Sequence, residues 1–498
     1  MMTAGNVTGE IKQMNTITYM NIGIKLANAG KFQQAAEAFI QAIQLDPNYP
    51  EAYNNLGVVF KATNRLDAAE TCFRRAIALI PNYLEAYNNL GMVLMAFNRL
   101  DEAESCFRSA IKLNPNYLEA YSNLSIVLKE LNRLEEAENC FRRIIKLKPD
   151  YPNAYKSLGA ILLYMNRLEE AESYFHRAIK LNPDCPDTQF SLGVVYLLQG
   201  RYDKGWEKYE FRCKLPGNSQ PEIRRWHGED LTGCKILLFH EQGLGDTMQF
   251  VRYAQMVAEL GAETIVWVQK PLERLLSAPK STFIIRTGDS IPLEQYNFDF
   301  ACPLMSLPCV FHTLVETIPQ SIPYIQPPSA TSLKWREALD EIDGGKTYRV
   351  GVAWAGNLNN VEGRKRSIPI ELFSKLFDCN EVSWVSLQVG SAIDAFVDVP
   401  YKLIDFSQEF VDFSETAGVI ENLDLVITVD SAVAHLAGAM GKKVWVLLPF
   451  APDFRWLLER EDSLWYPTMR LFRQQKIGDW QEVIERVQSA LMEECLHE

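Results

Sequence analysis

Along the first two hundred residues apolar side chains recur at helical spacing, and the whole pattern then repeats every 34 residues. Pro47, Pro81, Pro115, Pro149 and Pro183 keep that interval. So do Asn64, Asn98, Asn132 and Asn166, each followed by Arg-Leu, and Ala69, Ala103, Ala137 and Ala171. Phe73, Phe107, Phe141 and Phe175 share it, and Leu-Gly pairs fall in step at 56–57, 90–91 and 158–159. The pattern predicts two amphipathic helices per unit. Small residues stand where paired helices approach, and Leu, Tyr and Phe fill the seam between units. Proline closes the second helix, having no amide to donate. Five units run from residue 16 to residue 185, and a degenerate sixth comes after them, with Gly205, Tyr209 and Gly217 in place of Ala, Phe and Pro. Terminal units often depart from the pattern because they cap a stack.

After "CKLPGNSQPEIRRWHGEDLTG" (213–233) the helical beat is lost. "KILLF" (235–239), the helix-like "TMQFVRYAQMVAELG" (247–261) and "ETIVWVQ" (263–269) read as strand, helix, strand, a parallel βαβ unit. "IIRTGD" and "FDFACPL" suggest further strands. A linker with one helix is expected near 326–345. A second series begins at "YRVGVAWAG" and continues through "VSWVSLQVG", "LDLVITVD" and "KKVWVLLPF" to a final helix near 479–495.

The 34-residue period of helix pairs resembles the tetratricopeptide repeat. Such solenoids bind extended peptides along the first helix of each unit, so the partner class expected here is a protein or peptide. Asn21, Asn55, Asn89 and Asn123 recur just before the Leu or Ile of each unit. A carboxamide offers both a donor and an acceptor, which suits a peptide main chain of any sequence. A similar ladder grips acceptor peptides in the repeats of O-GlcNAc transferases. The competing reading is a row of polar residues on a solvated face. Cys72, Cys106 and Cys140 share the period, which sets them roughly 10 Å apart, beyond the about 7 Å Cα limit for a disulfide.

Five motifs in order carry a second resemblance: "HEQGLGDTMQF" (240–250), "GVAWAGN", "RKRSIP", "DLVITVDSAVAHLAGAMGKKVWVLLPFAPDFRW" and "WYPTMRLFRQ". The second half resembles the heptosyltransferase-like glycosyltransferase family 9, and the chain looks similar to bacterial proteins that join such a domain to tetratricopeptide repeats. The implied fold is an α-solenoid followed by an α/β GT-B domain of two Rossmann-like halves. The expected divisions are 16–215 for the solenoid with its capping repeat, 216–233 for a linker, 234–328 for the acceptor-side half and 346–498 for the nucleotide-sugar half. Trp226, in the linker, is a candidate for docking the repeats onto the second half of the chain.

Asp246 is the first candidate for chemistry. Gly243 and Gly245 are read as a tight turn delivering it to a helix N-terminus, where a carboxylate either caps the helix or waits to react. The resemblance implies the second role: general base on an acceptor hydroxyl, a task that wants a closed, partly dry cleft to raise its pKa. A departing nucleoside diphosphate also needs its charge neutralised. No DxD motif stands in the chain, so no metal and no cofactor is expected. Helix amides at Asp430-Ser431 and the guanidinium of Arg366 would do that work. His435 either faces the donor or is a satisfied core histidine. Trp354, Asn357 and Gln388, at strand ends, and Asp453 and Arg455, after the last clear strand, are further donor-site candidates, whereas Trp456 is expected to pack.

Composition narrows the field. The net charge of −13 speaks against broad nucleic-acid binding. Residues 1–215 hold 25 basic and 24 acidic side chains, so the excess negative charge lies later. No signal peptide and no span of about 18 apolar residues is read. Reduced thiols without a CxxC pair fit a cytoplasmic protein. The function expected is a metal-independent, inverting glycosyltransferase that uses a nucleotide-sugar donor. Its acceptor would be a protein recruited by the repeats, such as a surface or flagellar protein before export. Two alternatives are a glycan or lipid-linked acceptor, and a repeat scaffold whose transferase domain has lost turnover.

Overall fold

The computed structural model describes residues 4–218, 220–277, 282–288, 291, 293–344, 348–379, 382–393 and 403–496. Grouped by contacts, the chain divides into two units: Met1–Leu162 with His176–Pro183, and Leu163–Phe175 with Asp184–Glu498. The sequence period groups residues by pattern, whereas packing groups them by touch, so residues 184–215 count with the second unit.

In the first unit, helix Ala4–Asn28 is succeeded by Phe32–Leu45, Pro50–Ala62, Leu66–Leu79, Leu84–Ala96, Leu100–Leu113, Leu118–Glu130 and Leu134–Leu147. The repeated asparagine ends the first helix of each pair. Asn64, Asn98 and Asn132 all have φ of 58°, and Gly30 takes the equivalent place with φ of 70°. Asparagine tolerates this left-handed conformation better than other side chains. The repeated glycine has another purpose. A Cβ on Gly57 would stand 2.6 Å from the ring of Phe73, and one on Gly91 2.7 Å from Phe107. The first helix thus lies directly on the buried ring of the second. The arginine after each asparagine ties units together: Arg99 reaches Glu102 at 2.7 Å and Glu70 at 3.0 Å, and Arg133 repeats this with Glu136 and Glu104. These pairs are exposed and fix geometry more than they add stability.

The second unit opens with the last helix pair, Pro186–Leu198 and Tyr202–Tyr209. Here the departures from the repeat pattern become docking residues. Trp206 and Tyr209 meet the Phe454 ring edge-on at 5.7 and 5.2 Å, and the Trp206 indole donates to the Thr313 carbonyl at 3.0 Å. Trp226, expected to dock the repeats, instead fastens the linker. Its N–H donates to Ala301 O at 2.9 Å and its ring packs on Phe311.

Two wholly parallel sheets make up the remainder. The first holds β1 (Lys235–Phe239), β2 (Glu263–Trp267), β3 (Ile284–Arg286) and β4 (Phe300–Pro303) in the order β3-β2-β1-β4. The second holds β5 (Tyr348–Ala353), β6 (Val382–Ser386), β7 (Ile404–Asp405), β8 (Leu425–Val429), β9 (Val444–Leu448) and β10 (Met469–Arg473) in the order β10-β9-β8-β5-β6-β7. Parallel strands covered on both faces read as unbroken apolar runs, and all five residues of β8 are buried. β7 and β10 were not foreseen: one has two residues, the other sets two arginines among three apolar residues. The helix expected over 247–261 is two, Leu244–Phe250 and Arg252–Glu259. The helix Ser329–Asp343 is no free linker. It packs on Phe413–Glu421, and Trp335, fully buried, donates to Glu415 at 2.8 Å. Among the described residues no helix is long and apolar enough to cross a membrane.

Candidate active site

Strand β1 ends at Phe239 and the chain turns through 240–243 into helix Leu244–Phe250. The glycines here do not supply an unusual turn, contrary to the expectation. Gly243 is extended, with φ of −72°, and Gly245 lies within the helix. What Gly245 supplies is clearance, since a Cβ there would stand 2.7 Å from Cδ2 of His435. Helix Leu244–Phe250 from the first sheet can therefore meet helix Ala432–Ala439 from the second. Between them opens a cleft of about 750 Å³ lined by both halves.

Asp246 lines the first wall. Its Oδ2 accepts the Gly243 N–H at 2.8 Å, so it caps its own helix. Its Oδ1 accepts from Arg455 Nη2 at 2.5 Å across the cleft, and a fifth of its side chain stays open. The capping and cleft-facing readings therefore hold together. Its direct partner across the cleft is a guanidinium. Arg455 is itself held by Asp453 at 2.8 Å and by Gln249 Oε1. Burial opposes its charge, and Asp453 and Asp246 more than restore it, so its pKa lies above the ordinary value.

Asp430 comes directly after β8 on the second wall and is 6% exposed. Burial raises its pKa, against the pull of Arg366, whose Nη1 stands 3.5 Å away. Of the triplet Arg364, Lys365 and Arg366, only Arg366 lines the cleft. Arg364 donates to Leu358 O, and Lys365 pairs with Glu362 at 2.9 Å. Nε of Arg366 is buried with no hydrogen-bond partner among the described residues. Ser431 stands at the N-cap position of helix Ala432–Ala439, its hydroxyl turned to Thr428 Oγ1 at 3.0 Å rather than to the first-turn amides. With Ala432 and Val433 it brings the first-turn amides to the cleft.

His435 is both a lining residue and a satisfied one. Nδ1 lies 3.0 Å from the Tyr466 hydroxyl, Nε2 faces Asp430 at 3.9 Å, and the ring stacks on Trp456 at 5.6 Å. Burial, reinforced by Arg455, Arg366 and Arg252, holds its pKa well below 6.5. The imidazole is neutral and brings no charge to a phosphate.

Asn357 lies on the rim, where its Oδ1 accepts from Asn359 N at 3.0 Å. Gln388 lines the floor, but its Oε1 is committed to the N–H groups of Trp354 and Ala355, at 3.1 and 2.9 Å. It props the end of β5. Trp354 is a correction. It was expected to line the pocket, yet it is 2% exposed in the hydrophobic core against Phe373, because the alternation of β5 turns it away from the cleft. Sequence reasoning missed Gln249, Tyr466 and Arg252. Arg252 donates to Pro319 O, Trp465 O and the Tyr324 hydroxyl at 2.7 to 3.0 Å. Its signal was available: a lone arginine inside the apolar stretch "QFVRYAQ".

In the first unit, Asn21 is exposed and Asn55, Asn89 and Asn123 are partly buried. Asn89 donates to Asn54 at 3.1 Å and Asn123 to Asn88 at 3.0 Å, so the ladder is cross-linked between repeats.

Residues 25–64 match the TPR repeat family, and 49–116, 82–150 and 152–185 match tetratricopeptide repeat families. Residues 411–447 match glycosyltransferase family 9 (heptosyltransferase), a stretch that contains Asp430, Ser431 and His435. Fold and matches together define the class: tetratricopeptide repeats joined to a glycosyltransferase family 9-like domain. Among curated proteins the chain is similar to Protein FlbA of Caulobacter vibrioides, with 26% identity over 313 residues, 58% of this chain and 52% of that one. The match thus spans about half the length of that relative. Among solved structures it is similar to Pseudomonas aeruginosa PilF (19% identity, 42% of this chain, 95% of that one, TM-score 0.38). It is also similar to MamA (27% identity, 34% of this chain, 92% of that one, TM-score 0.32).

Proposed function

We propose that the second unit is a GT-B, inverting glycosyltransferase that moves a sugar from a nucleotide-sugar donor to a protein acceptor recruited by the repeats. The observation that carries the reading is the convergence of Asp246 with Arg366, Asp430 and Ser431 on one cleft. The donor diphosphate would lie against the Arg366 guanidinium and the amides at the start of helix Ala432–Ala439, where the helix dipole favours an anion. Asp246 would accept the proton of the acceptor hydroxyl as that oxygen attacks the anomeric carbon. The bond from that carbon to the diphosphate breaks, and the nucleoside diphosphate leaves with the electron pair. Arg455 orients Asp246 across the cleft. Neutral His435 and buried Asp430 would exchange hydrogen bonds with sugar hydroxyls rather than supply charge to the phosphate. The reading invokes no metal and no cofactor.

The test is transfer from a panel of nucleotide sugars to co-expressed proteins, followed by mass spectrometry. Asp246→Asn should fold and bind nucleotide normally, with transfer reduced by about 10² to 10⁴-fold. Full transfer in that variant ends the assignment. Donor binding with neither transfer nor hydrolysis in the parent, across the whole panel, points instead to a scaffold.

A further inference from the structure

In three consecutive repeats the first helix leaves the same trio on its outer face: Glu51, Asn55 and Val58; Glu85, Asn89 and Met92; Glu119, Asn123 and Ile126. Spacing of four and then three residues puts each trio on one stripe of its helix. The preceding helix adds Asn21 and Ile24 in phase. Because the trios recur every 34 residues, the stripes align into three rails: carboxylate, carboxamide and aliphatic. The aliphatic rail is open to solvent, with Ile24, Val58, Met92 and Ile126 exposed by 40, 38, 37 and 47%.

The carboxylate rail differs from the glutamates that tie neighbouring repeats together. Glu70, Glu102, Glu104 and Glu136 each hold an arginine, whereas Glu51, Glu85 and Glu119 have no ion-pair partner among the described residues. A tyrosine stands between successive members. Burial, then the fields of Glu51 and Glu85, push the Tyr83 phenol up to about 12; burial, then Glu119 and Glu85, raise Tyr117 in the same sense. Two carboxylates flanking a partly buried ring make a notch suited to a cationic side chain. Behind the carboxamide rail, Asn54 and Asn88 are 7% and 6% exposed. Their Oδ1 atoms accept from the rail, and their Nδ2 groups have no acceptor among the described residues.

We propose that these rails bind an extended protein segment in the polyproline II conformation. One face of the segment carries Lys or Arg toward the glutamates, and the next face carries small aliphatic residues toward Val58, Met92 and Ile126. Its main chain meets the asparagines. The period decides the conformation. Neighbouring first helices pack about 8 to 10 Å apart, and polyproline II advances about 9.3 Å per three-residue turn. One turn then meets one repeat. A β-strand repeats its faces every two residues, about 6.6 Å, and falls out of step. Polyproline II also makes no internal hydrogen bonds, so its carbonyl and amide groups are free for carboxamides. The inference deepens the acceptor-recruitment part of the proposed function and rests on that reading only for what the bound segment is for.

The test uses the full chain and fluorescein-labelled peptides of four triplets, read by anisotropy. Lys-Val-Pro peptide should bind, more weakly as salt rises. Glu-Val-Pro and Lys-Ser-Pro peptides should bind roughly tenfold or more weakly. The isosteric triple variant Glu51→Gln, Glu85→Gln, Glu119→Gln should keep the parent's helical circular dichroism, weaken Lys-Val-Pro about tenfold and lose the salt dependence. Absence of Lys-Val-Pro binding, equal binding of Glu-Val-Pro, or unaltered affinity in the Gln variant would each overturn the proposal. The probes carry no side-chain hydroxyl in the Lys-Val-Pro and Glu-Val-Pro series, and no donor is present. Their binding is therefore decided whether or not the transferase reading survives.

Discussion

Asp430 and His435 face each other at 3.9 Å, and burial drives them in opposite directions: the carboxyl up, the imidazole well down. Both shifts favour the uncharged form, since a closed site opposes charge of either sign. The consequences for stability differ in sign. Below 6.5 the unfolded chain binds a proton at residue 435 and the folded chain does not. The histidine's contribution is therefore intact above pH 6.5 and is lost as pH falls toward its folded value. Asp430 acts the other way, its burial costing stability as pH rises from 3.8 through its raised folded value. His435→Gln removes only the first dependence. Urea unfolding between pH 7.5 and 5 should show a flatter profile for the variant, by up to about 1.4 kcal/mol per pH unit. Parallel profiles would mean that the imidazole protonates in the native state.

For single elements, the turn asparagines explain why one residue type recurs at 64, 98 and 132. A first helix must hand over to its partner within a very short turn, and the left-handed residue makes the reversal. Asn98→Val should cost about 1 to 2 kcal/mol in chemical denaturation, the penalty of a left-handed β-branched residue. Asn98→Gly should stay within about 0.5 kcal/mol, as Gly30 already fills the equivalent place. Equal loss in both variants would assign the asparagine's value to its side-chain contacts instead. The same scale accounts for the misread helix over 247–261. The apolar pattern continues through Val251, where one helix ends and the next begins, and Arg252 donates to Pro319 O, Trp465 O and the Tyr324 hydroxyl.

On the scale of the whole molecule, the cleft exists only because two sheets present helix N-termini to each other. A bound nucleoside diphosphate would link them further. At about a hundred times its dissociation constant, such a ligand should stabilise the folded protein by roughly 2.7 kcal/mol, read as a rise in melting temperature. Arg366→Met should remove most of that rise and leave the melting temperature of the unliganded protein nearly unchanged, because Arg366 is a third exposed and one of its donors has no partner among the described residues. An undiminished rise in the variant would show that the anion is held elsewhere.

The sequence by itself determined the repeat, its two helices per unit, the strand-and-helix order of the second half and most residues that gather at the cleft. Each of these is written as local periodicity or as a glycine-bounded run, and local pattern survives without knowledge of neighbours. It did not determine that Trp354 turns into the core, that Trp206 rather than Trp226 docks the last helix pair, or that Asp246 is paired with Arg455, 209 residues away. It held no hint of which glutamates remain unpaired along the first helices. Those outcomes depend on which surfaces meet once the chain is packed, and burial and charge pairing between distant segments are settled only by that meeting.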